Sequence, residues 1–439
     1  MLKKINTKKI NLFVFATHHT ANNIASQRFK GLLKYLNFRK YRVFIFSRTT
    51  GDDAGETNMP MDGSVGFNNI NVMNFRGHCV GAESSAVSSL LSLLSAFASA
   101  APFLAAATNR MLKRRSDTWL INALDAADTL CRERLADGEP CVVIGTYSPI
   151  DALVAARCLS AKHRIPCLQD FRDGLTFEAL GRQGKLSAML RQLVESQVVT
   201  ASGLVTTVSR ALVNDFERRY PQTKVGLMPN GYDPADFSAQ DEHSRAAAAQ
   251  LLAKNVPAGK RLIGHFGRIS ASDHSRISSL ESFVRAMNLS MNALQHAHAL
   301  FVGELTPIER EIIAGLGCSH STVDSVPRPV ALNLMMQCQQ LLLITGDGVG
   351  CATGKLFEYL AAGPEVICFS GVENEASHIL LETGAGATVL TTDEAKGAAT
   401  TLDRLFGDRA GNTAQRGIGV YSKVEQVRQF DRWLSGMVA

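Results

Sequence analysis

Charge is missing from one long stretch of this 439-residue chain, and the spacings that bind metal or run redox chemistry are missing throughout. The nine cysteines, at 79, 131, 141, 158, 167, 318, 338, 351 and 368, include no C-x-x-C pair. An odd, scattered set reads as buried thiols in a reducing compartment rather than a disulfide framework or a zinc site. Asp52-Asp53 is a loop pair and not a D-x-D motif, so no metal is expected. Gly350 to Gly354-Lys355 has the wrong spacing for G-x-x-x-x-G-K-[ST] and lacks the final hydroxyl, which argues against a P-loop NTPase. Aromatic residues make up only 7%, and none interleave with a basic stripe. With a net charge of just +6, the chain suits phosphates or an anionic surface, and nucleic acid is not expected as a partner. The apolar run Leu12 to Ala16 is far too short for a signal-peptide core and reads as a first buried strand, so the protein is expected in the cytoplasm.

The uncharged stretch lies between Glu83 and Arg110. Ser88, Ser92, Ser95 and Ser99 recur at helical spacing opposite Leu90, Leu94, Phe97 and Ala101, until Pro102 interrupts. Lys113, Arg114 and Arg115 follow and would suit anionic headgroups. Residues 86–115 are therefore expected to form a membrane-surface helix, with a helix packed inside the domain and a true span as the alternatives. The first of these would place the protein peripherally on the inner face of the membrane.

What is present is ordinary globular composition, 46% hydrophobic and 20% charged, at a length that favours two domains. Strands are expected at Ile10–Ala16, Tyr41–Ser47, Cys141–Gly145, Cys167–Asp170 and Leu204–Val208, with helical patterns between, and residues 51–67 as a loop. The pattern restarts with strands at Leu262–Phe266, His298–Val302, Thr322–Val326, Gln340–Ile344 and Val366–Phe369. Helices are expected near Ser26–Leu36, Ser278–Asn292, Pro307–Gly315, Val330–Cys338, Lys355–Ala362 and Val424–Leu434. Alternation of this kind predicts an α/β fold with two Rossmann-like, doubly wound parallel sheets. Met228 to Ala258 reads as a linker.

The most informative segment is GDGVGCATGKLFEYLAAGPEVI, residues 346–367. Four glycines precede a helix starting near Thr353 or Gly354, where exposed amides bind anions, phosphate above all. Lys355 and Glu358 share one face of that helix. A lysine near a diphosphate and a carboxylate reaching ribose hydroxyls is what a nucleotide-sugar needs; a solvated Lys–Glu pair is the alternative. His18 and His19 follow the first strand and could bind phosphate or donor, or be merely polar. Ser26 and Arg28 open the next helix, where amides and a guanidinium could grip an acceptor phosphate.

The run KLFEYLAAGP with the later ETGAG resembles the donor-site helix of family 4 glycosyltransferases of the GT-B fold. LVTTVSRALVNDF (204–216), MPNGYDPADF (228–237), HFGRIS (265–270), ASQRFKGLLKYL (25–36), GTYSPIDA (145–152) and LQDFRDGL (168–175) resemble other family segments in order. The nearest subgroup builds bacterial surface polysaccharides. The resemblance implies two domains facing across a cleft. Residues 1–200 would take the acceptor and 201–415 the nucleotide-sugar donor, with 416–439 a helix packing back on the first domain. It also implies sugar transfer with retention and without cofactor or metal, and the 86–115 segment motivates a lipid-linked or polysaccharide acceptor. By it, Glu358 would hold the ribose; Gly267, Thr353 and Gly354 would approach the donor; Arg268 and Lys355 would neutralise the diphosphate; Arg328 would border the base. Asp173 or Asp170 would orient the acceptor hydroxyl or take its proton, unless they cap a helix or pair with Arg172. Gly350 stands where many members carry a glutamate that contacts the donor sugar. A catalytically silent subunit is therefore one alternative. A nucleotide-sugar 2-epimerase, which would need further carboxylates and histidines in the second domain, is the other.

Overall fold

The computed structural model describes residues 8–19, 24–49, 55–57, 70–76, 79, 119–147, 149–177, 185–238, 241–270, 273–406 and 417–438. Residues 86–115 and Asp52-Asp53 lie outside this set. The chain forms two compact units, Met1–Pro229 with Gln426–Ala439, and Asn230–Glu425.

The first unit runs β1 (Ile10–Phe15), α1 (Ile24–Lys34), β2 (Tyr41–Arg48), β3 (Gly55–Thr57), β4 (Ile70–Phe75), α2 (Trp119–Ala136), β5 (Cys141–Thr146), α3 (Ile150–His163), β6 (Cys167–Phe171), α4 (Lys185–Thr200), β7 (Leu204–Thr207), α5 (Arg210–Arg219) and β8 (Val225–Leu227). Its sheet has the order β3-β4-β2-β1-β5-β6-β7-β8. Every pairing is parallel except β3 with β4. All six residues of β1 are buried because both faces of the sheet are covered. Phe13 and Phe15 stack on Phe44 and Phe46 on one face, while Leu12 and Val14 join Phe29 and Leu32 on the other.

The second unit runs α6 (Ala235–Ser238), α7 (Glu242–Asn255), β9 (Arg261–Phe266), α8 (Arg276–Leu289), α9 (Met291–His296), β10 (Ala297–Val302), α10 (Pro307–Ala314), β11 (Ser319–Val323), α11 (Arg328–Gln337), β12 (Gln340–Ile344), α12 (Gly354–Ala362), β13 (Glu365–Ser370), α13 (Glu375–Thr383), β14 (Gly386–Leu390) and α14 (Ala395–Phe406). Its parallel sheet has the order β11-β10-β9-β12-β13-β14. A final helix, α15 (Lys423–Val438), returns to the first unit, where Val427, Phe430 and Leu434 are buried beside Phe29 and Lys40 pairs with Asp431 at 2.8 Å.

Several segments differ from the sequence expectation. The first sheet continues past residue 200, because β7 pairs with β6 and β8 with β7, so the division falls after Pro229. The supposed linker contains α7, whose start is capped by Asp241 accepting from the Ser244 amide at 2.8 Å. The third strand of the second sheet, placed at 322–326, spans Ser319–Val323 in register with β10. The helix drawn over 278–292 is two helices, since Ser290 leaves helical geometry and caps the second through its hydroxyl. The expected loop 51–67 contains β3, and β4 beyond it was not foreseen. Among the described residues, no helix is long and apolar enough to cross a membrane.

Candidate functional site

In open parallel sheets, ligands bind beyond the carboxyl ends of the strands where the order reverses. In the second unit that point lies between β9 and β12. The backbone after β9 turns at Gly267, φ +84°, whose amide donates to Val302 O at 2.7 Å. Gly303, φ +141°, ends β10 against it: a Cβ there would sit 2.9 Å from the Gly267 Cα. Only glycine lets these two strand ends meet so closely.

Lys355, in the first turn of α12, reaches this turn. A Cβ on Gly267 would lie 3.2 Å from its Cε. The residue is only partly covered as a whole, but its ammonium lies inside, donating to Arg268 O and standing 3.4 Å from His265 Nε2. Burial, with repulsion from Arg276, brings the amine down to about 7, while Glu309 and Glu358 pull the other way. His265 is fully buried, with Nδ1 3.0 Å from Leu342 O. Burial and the neighbouring Lys355 push its imidazole down to about 3, so it is neutral, and Nδ1–H donates to the carbonyl. The turn is braced by Glu309, which accepts from the Ser270 amide (2.8 Å), the Ser270 hydroxyl (2.6 Å) and the Thr306 amide (2.7 Å). Burial would raise the Glu309 carboxyl, but these bonds hold it below its ordinary value. The sequence reading passed over both His265, inside the quoted HFGRIS, and Glu309.

The glycine-rich loop between β12 and α12 is held from behind. Val349 O and Cys351 O accept from the Glu375 and Ala376 amides at 2.9 and 3.0 Å, which satisfies the start of α13. Gly346 and Gly371 have no room for side chains: a Cβ would come within 2.0 Å of Ser275 Oγ and 1.9 Å of Asp347 Oδ1. Thr353 occupies the N-cap of α12 but makes no capping bond, and its buried Oγ1 has no partner. Gly354 is the first residue of that helix.

Glu358 is one turn along from Lys355. Arg328, at the start of α11, donates to Glu358 Oε1 through Nε (3.2 Å) and Nη2 (2.7 Å), and to Asp236 Oδ2 through Nη1 (2.7 Å). Arg328, read from the sequence as bordering a base, thus orients Glu358. Arg268 is exposed and pairs with Glu304 at 2.6 Å.

In the first unit the expected residues separate. Asp170, at the end of β6, is fully buried. Its oxygens accept from Arg28 Nε (3.2 Å) and Nη2 (3.0 Å), Thr206 Oγ1 (2.9 Å) and Thr146 Oγ1 (3.2 Å). Burial opposes the charge, but Arg28 and Thr206 outweigh it and keep the carboxyl below its ordinary value. A carboxylate so enclosed has no oxygen for an acceptor hydroxyl, which corrects its reading as a proton acceptor. Arg28 is equally enclosed, donating also to Met228 O (2.7 Å) and Pro229 O (2.9 Å), so it fastens the end of the unit rather than gripping a phosphate. Asp173, by contrast, is exposed. Ser26 lies in the first turn of α1, and its side chain falls outside the described residues. His19 is buried, with Nδ1 unpartnered, and burial with the nearby Lys30 brings it down to about 4. His18 is half-buried and lowered by burial and by the charges of Arg172 and Arg48. Among the described residues, no cluster of three or more His, Cys, Asp or Glu side chains is placed to hold a metal ion.

No protein-family model matches the chain, and no curated protein sequence matches it. Solved structures do. A sucrose-phosphate synthase from Thermosynechococcus elongatus aligns over 98% of this chain and 99% of its own at 15% identity and TM-score 0.59. An α,α-trehalose 6-phosphate synthase from Burkholderia multivorans aligns over 98% and 96% at 12% identity and TM-score 0.61. A glycosyltransferase from Rickettsia africae aligns over 98% and 99% at 13% identity and TM-score 0.62. At this identity the likeness carries the fold alone: the chain is built of two Rossmann-like α/β units, as GT-B glycosyltransferases are.

Proposed function

We propose that the protein is a nucleotide-sugar-dependent glycosyltransferase whose second unit holds the donor. The observation that carries this reading is the pairing on α12 of an inward-facing Lys355 and, one turn on, a Glu358 carboxylate held by Arg328. In the proposed complex, Lys355, Gly267, the first-turn amides at Thr353 and Gly354, and Arg268 released from Glu304 face the diphosphate. Both bonds from Arg328 land on Oε1 of Glu358, which leaves Oε2 to the ribose hydroxyls. Stabilising charge on the departing nucleoside diphosphate is the electrostatic work such a site performs.

The solved structures of like fold support this assignment, since those cited are named as synthases of sugar phosphates or as a glycosyltransferase. The first unit would take the acceptor, and the exposed Asp173 rather than Asp170 would serve its hydroxyl. A lipid-linked or polysaccharide acceptor in bacterial surface-polysaccharide synthesis rests on the sequence resemblance and on the uncharged 86–115 segment. Retention rests on the resemblance too.

The test is a panel of nucleotide-sugars read by thermal shift and by release of nucleoside diphosphate. Glu358→Ala should lower donor use at least tenfold, the loss of one charge-assisted contact of roughly 1.5–3 kcal/mol. Wild-type kinetics in that variant would overturn the donor-site assignment. Binding without turnover across the panel would select the silent-subunit reading that Gly350 raises.

A further inference from the structure

A carboxylate grips a ribose only if it stays where the sugar arrives, and α12 alone does not fix Glu358 there. Among the described residues its one bonded partner is Arg328, which places both Nε (3.2 Å) and Nη2 (2.7 Å) on Oε1. These two donors form one edge of the guanidinium. Nη1, on the far side, donates to Oδ2 of Asp236 at 2.7 Å. All three side chains are partly exposed, Arg328 at 41%, Asp236 at 27% and Glu358 at 24%. An isolated ion pair so open to water restrains its partners weakly, because solvent screens the attraction and both side chains lose rotamer freedom. A planar fork anchored on its far side has its plane fixed, and the donors on the other edge then point one way.

Three elements supply the three groups: Asp236 belongs to α6, Arg328 opens α11 and Glu358 lies in α12. The backbone under the first two is stiff. Arg328 stands between Pro327, the N-cap, and Pro329. Asp236 sits in a turn where Asp233 accepts from the Ala235 amide through Oδ1 (2.9 Å) and from the Asp236 amide through its carbonyl (3.1 Å). One guanidinium is shared by two carboxylates, so the trio carries net negative charge and suits hydroxyl donors rather than an anion. Oε1 of Glu358 is occupied, and Oε2 is the acceptor left for the hydroxyls of a ribose.

We infer that Asp236, through Arg328, positions Glu358 and thereby makes the second unit selective for ribonucleoside over 2′-deoxyribonucleoside diphosphates. This deepens the donor-site reading and rests on it. Asp236 is a positioning residue: it touches no substrate and acts only on where Oε2 lies. A 2′-deoxy ligand forfeits one charge-assisted bond to Oε2 whichever base it carries, while its diphosphate meets the same lysine and glycine turn.

The experiment reads a ratio of affinities. The full-length chain is titrated in a calorimeter with uridine, guanosine and adenosine diphosphates and with their 2′-deoxy counterparts. For the base that binds, wild type should prefer the ribonucleotide about tenfold or more, the worth of one hydrogen bond to a charged group. Asp236→Asn should bring that preference down to about threefold, since an amide holds the fork less firmly than a carboxylate. The change should fall on the ribonucleotide alone, leaving the affinity for the deoxy ligand as it was. Arg328→Lys should act in the same direction, because an ammonium keeps the charge but not the fork that spans both carboxylates. Thermal melts establish that each variant is folded. A merely structural role for Asp236 would weaken both ligands alike and leave the ratio unchanged. That result, in either variant, overturns the positioning role. Equal binding of ribo and deoxy ligands by wild type overturns the selectivity while leaving the donor site in place. Binding of no nucleoside diphosphate at all brings down the donor-site reading, and this inference with it.

Discussion

Lys355→Met removes an ammonium that the folded second unit holds at a loss. The amine titrates near 7 in the folded protein. A solvated lysine titrates near 10.4, and at about 1.36 kcal/mol per unit the gap amounts to roughly 4.6 kcal/mol as an upper bound. The residue is partly exposed, and screening brings a reasonable expectation down to about 2 kcal/mol. The sign follows from proton counting. Between pH 7 and about 10.4 the unfolded chain holds the lysine proton and the folded chain does not, so stability rises with pH in that window. Below 7 both forms are protonated and the full cost is present. The methionine variant, which keeps the length of the side chain without its charge, should therefore melt higher than wild type at neutral pH. For a unit of this size, about 2 kcal/mol corresponds to roughly 4–8 °C. The advantage should shrink toward pH 10. Calorimetric melts at pH 6 to 10, with and without a nucleoside diphosphate, measure this. The same variant should lose ligand-induced stabilisation, because an anion is the partner this amine lacks. Equal or lower melting temperature for Lys355→Met across the whole range would refute the reasoning.

Two further substitutions test the frame around these sites. Gly303→Ala should destabilise the second unit by about 1–3 kcal/mol, since its Cβ would meet the Gly267 backbone at 2.9 Å in a backbone region that L residues avoid; an unchanged melt would mean the two strand ends are not so tightly apposed. Asp170→Asn leaves the Arg28 guanidinium buried without its counter-charge and should cost about 3–5 kcal/mol, measured by denaturant unfolding; a loss of activity in a protein of full stability would instead return Asp170 to the chemistry.

The fold was legible where both sheet faces are covered, because β1, β5 and β12 then carry the apolar runs LFVF, CVVI and LLLI. It was less legible at the edges. β11 is only half-buried, and its mixed SHSTV carries little periodic signal, so it was placed a few residues late. β4 was missed because Asn71 and Asn74 break the apolar run that would have marked it. The alanine-rich α7 was taken for linker because it buries only Ser244 and Ala248, leaving scarcely any stripe to read. In the candidate donor site, Lys355, Glu358 and the glycines were legible because one helix start contains them. The Arg328 bridge to Glu358 was not, since it joins residues thirty apart and depends on how α11 packs beside α12. Asp170 illustrates the converse: a carboxylate at a strand end looks reactive in one dimension, and its enclosure by Arg28 is set by a residue far earlier in the chain.

The last helix has a consequence for the order in which the chain can fold. Its Phe430 and Leu434 fill the same apolar layer as Phe29 and Leu32, more than 390 positions earlier. The second unit is thus an insertion between β8 and α15. Its two ends run side by side where Tyr232 exchanges backbone bonds with Tyr421 and Lys423. On a ribosome, the amino-terminal half is made first yet cannot seal its own interior until the final turns emerge, whereas the inserted half is complete before then. Cutting the gene after Pro229 would therefore yield a fragment with an open apolar groove, while residues 230–425 form a segment whose termini already meet.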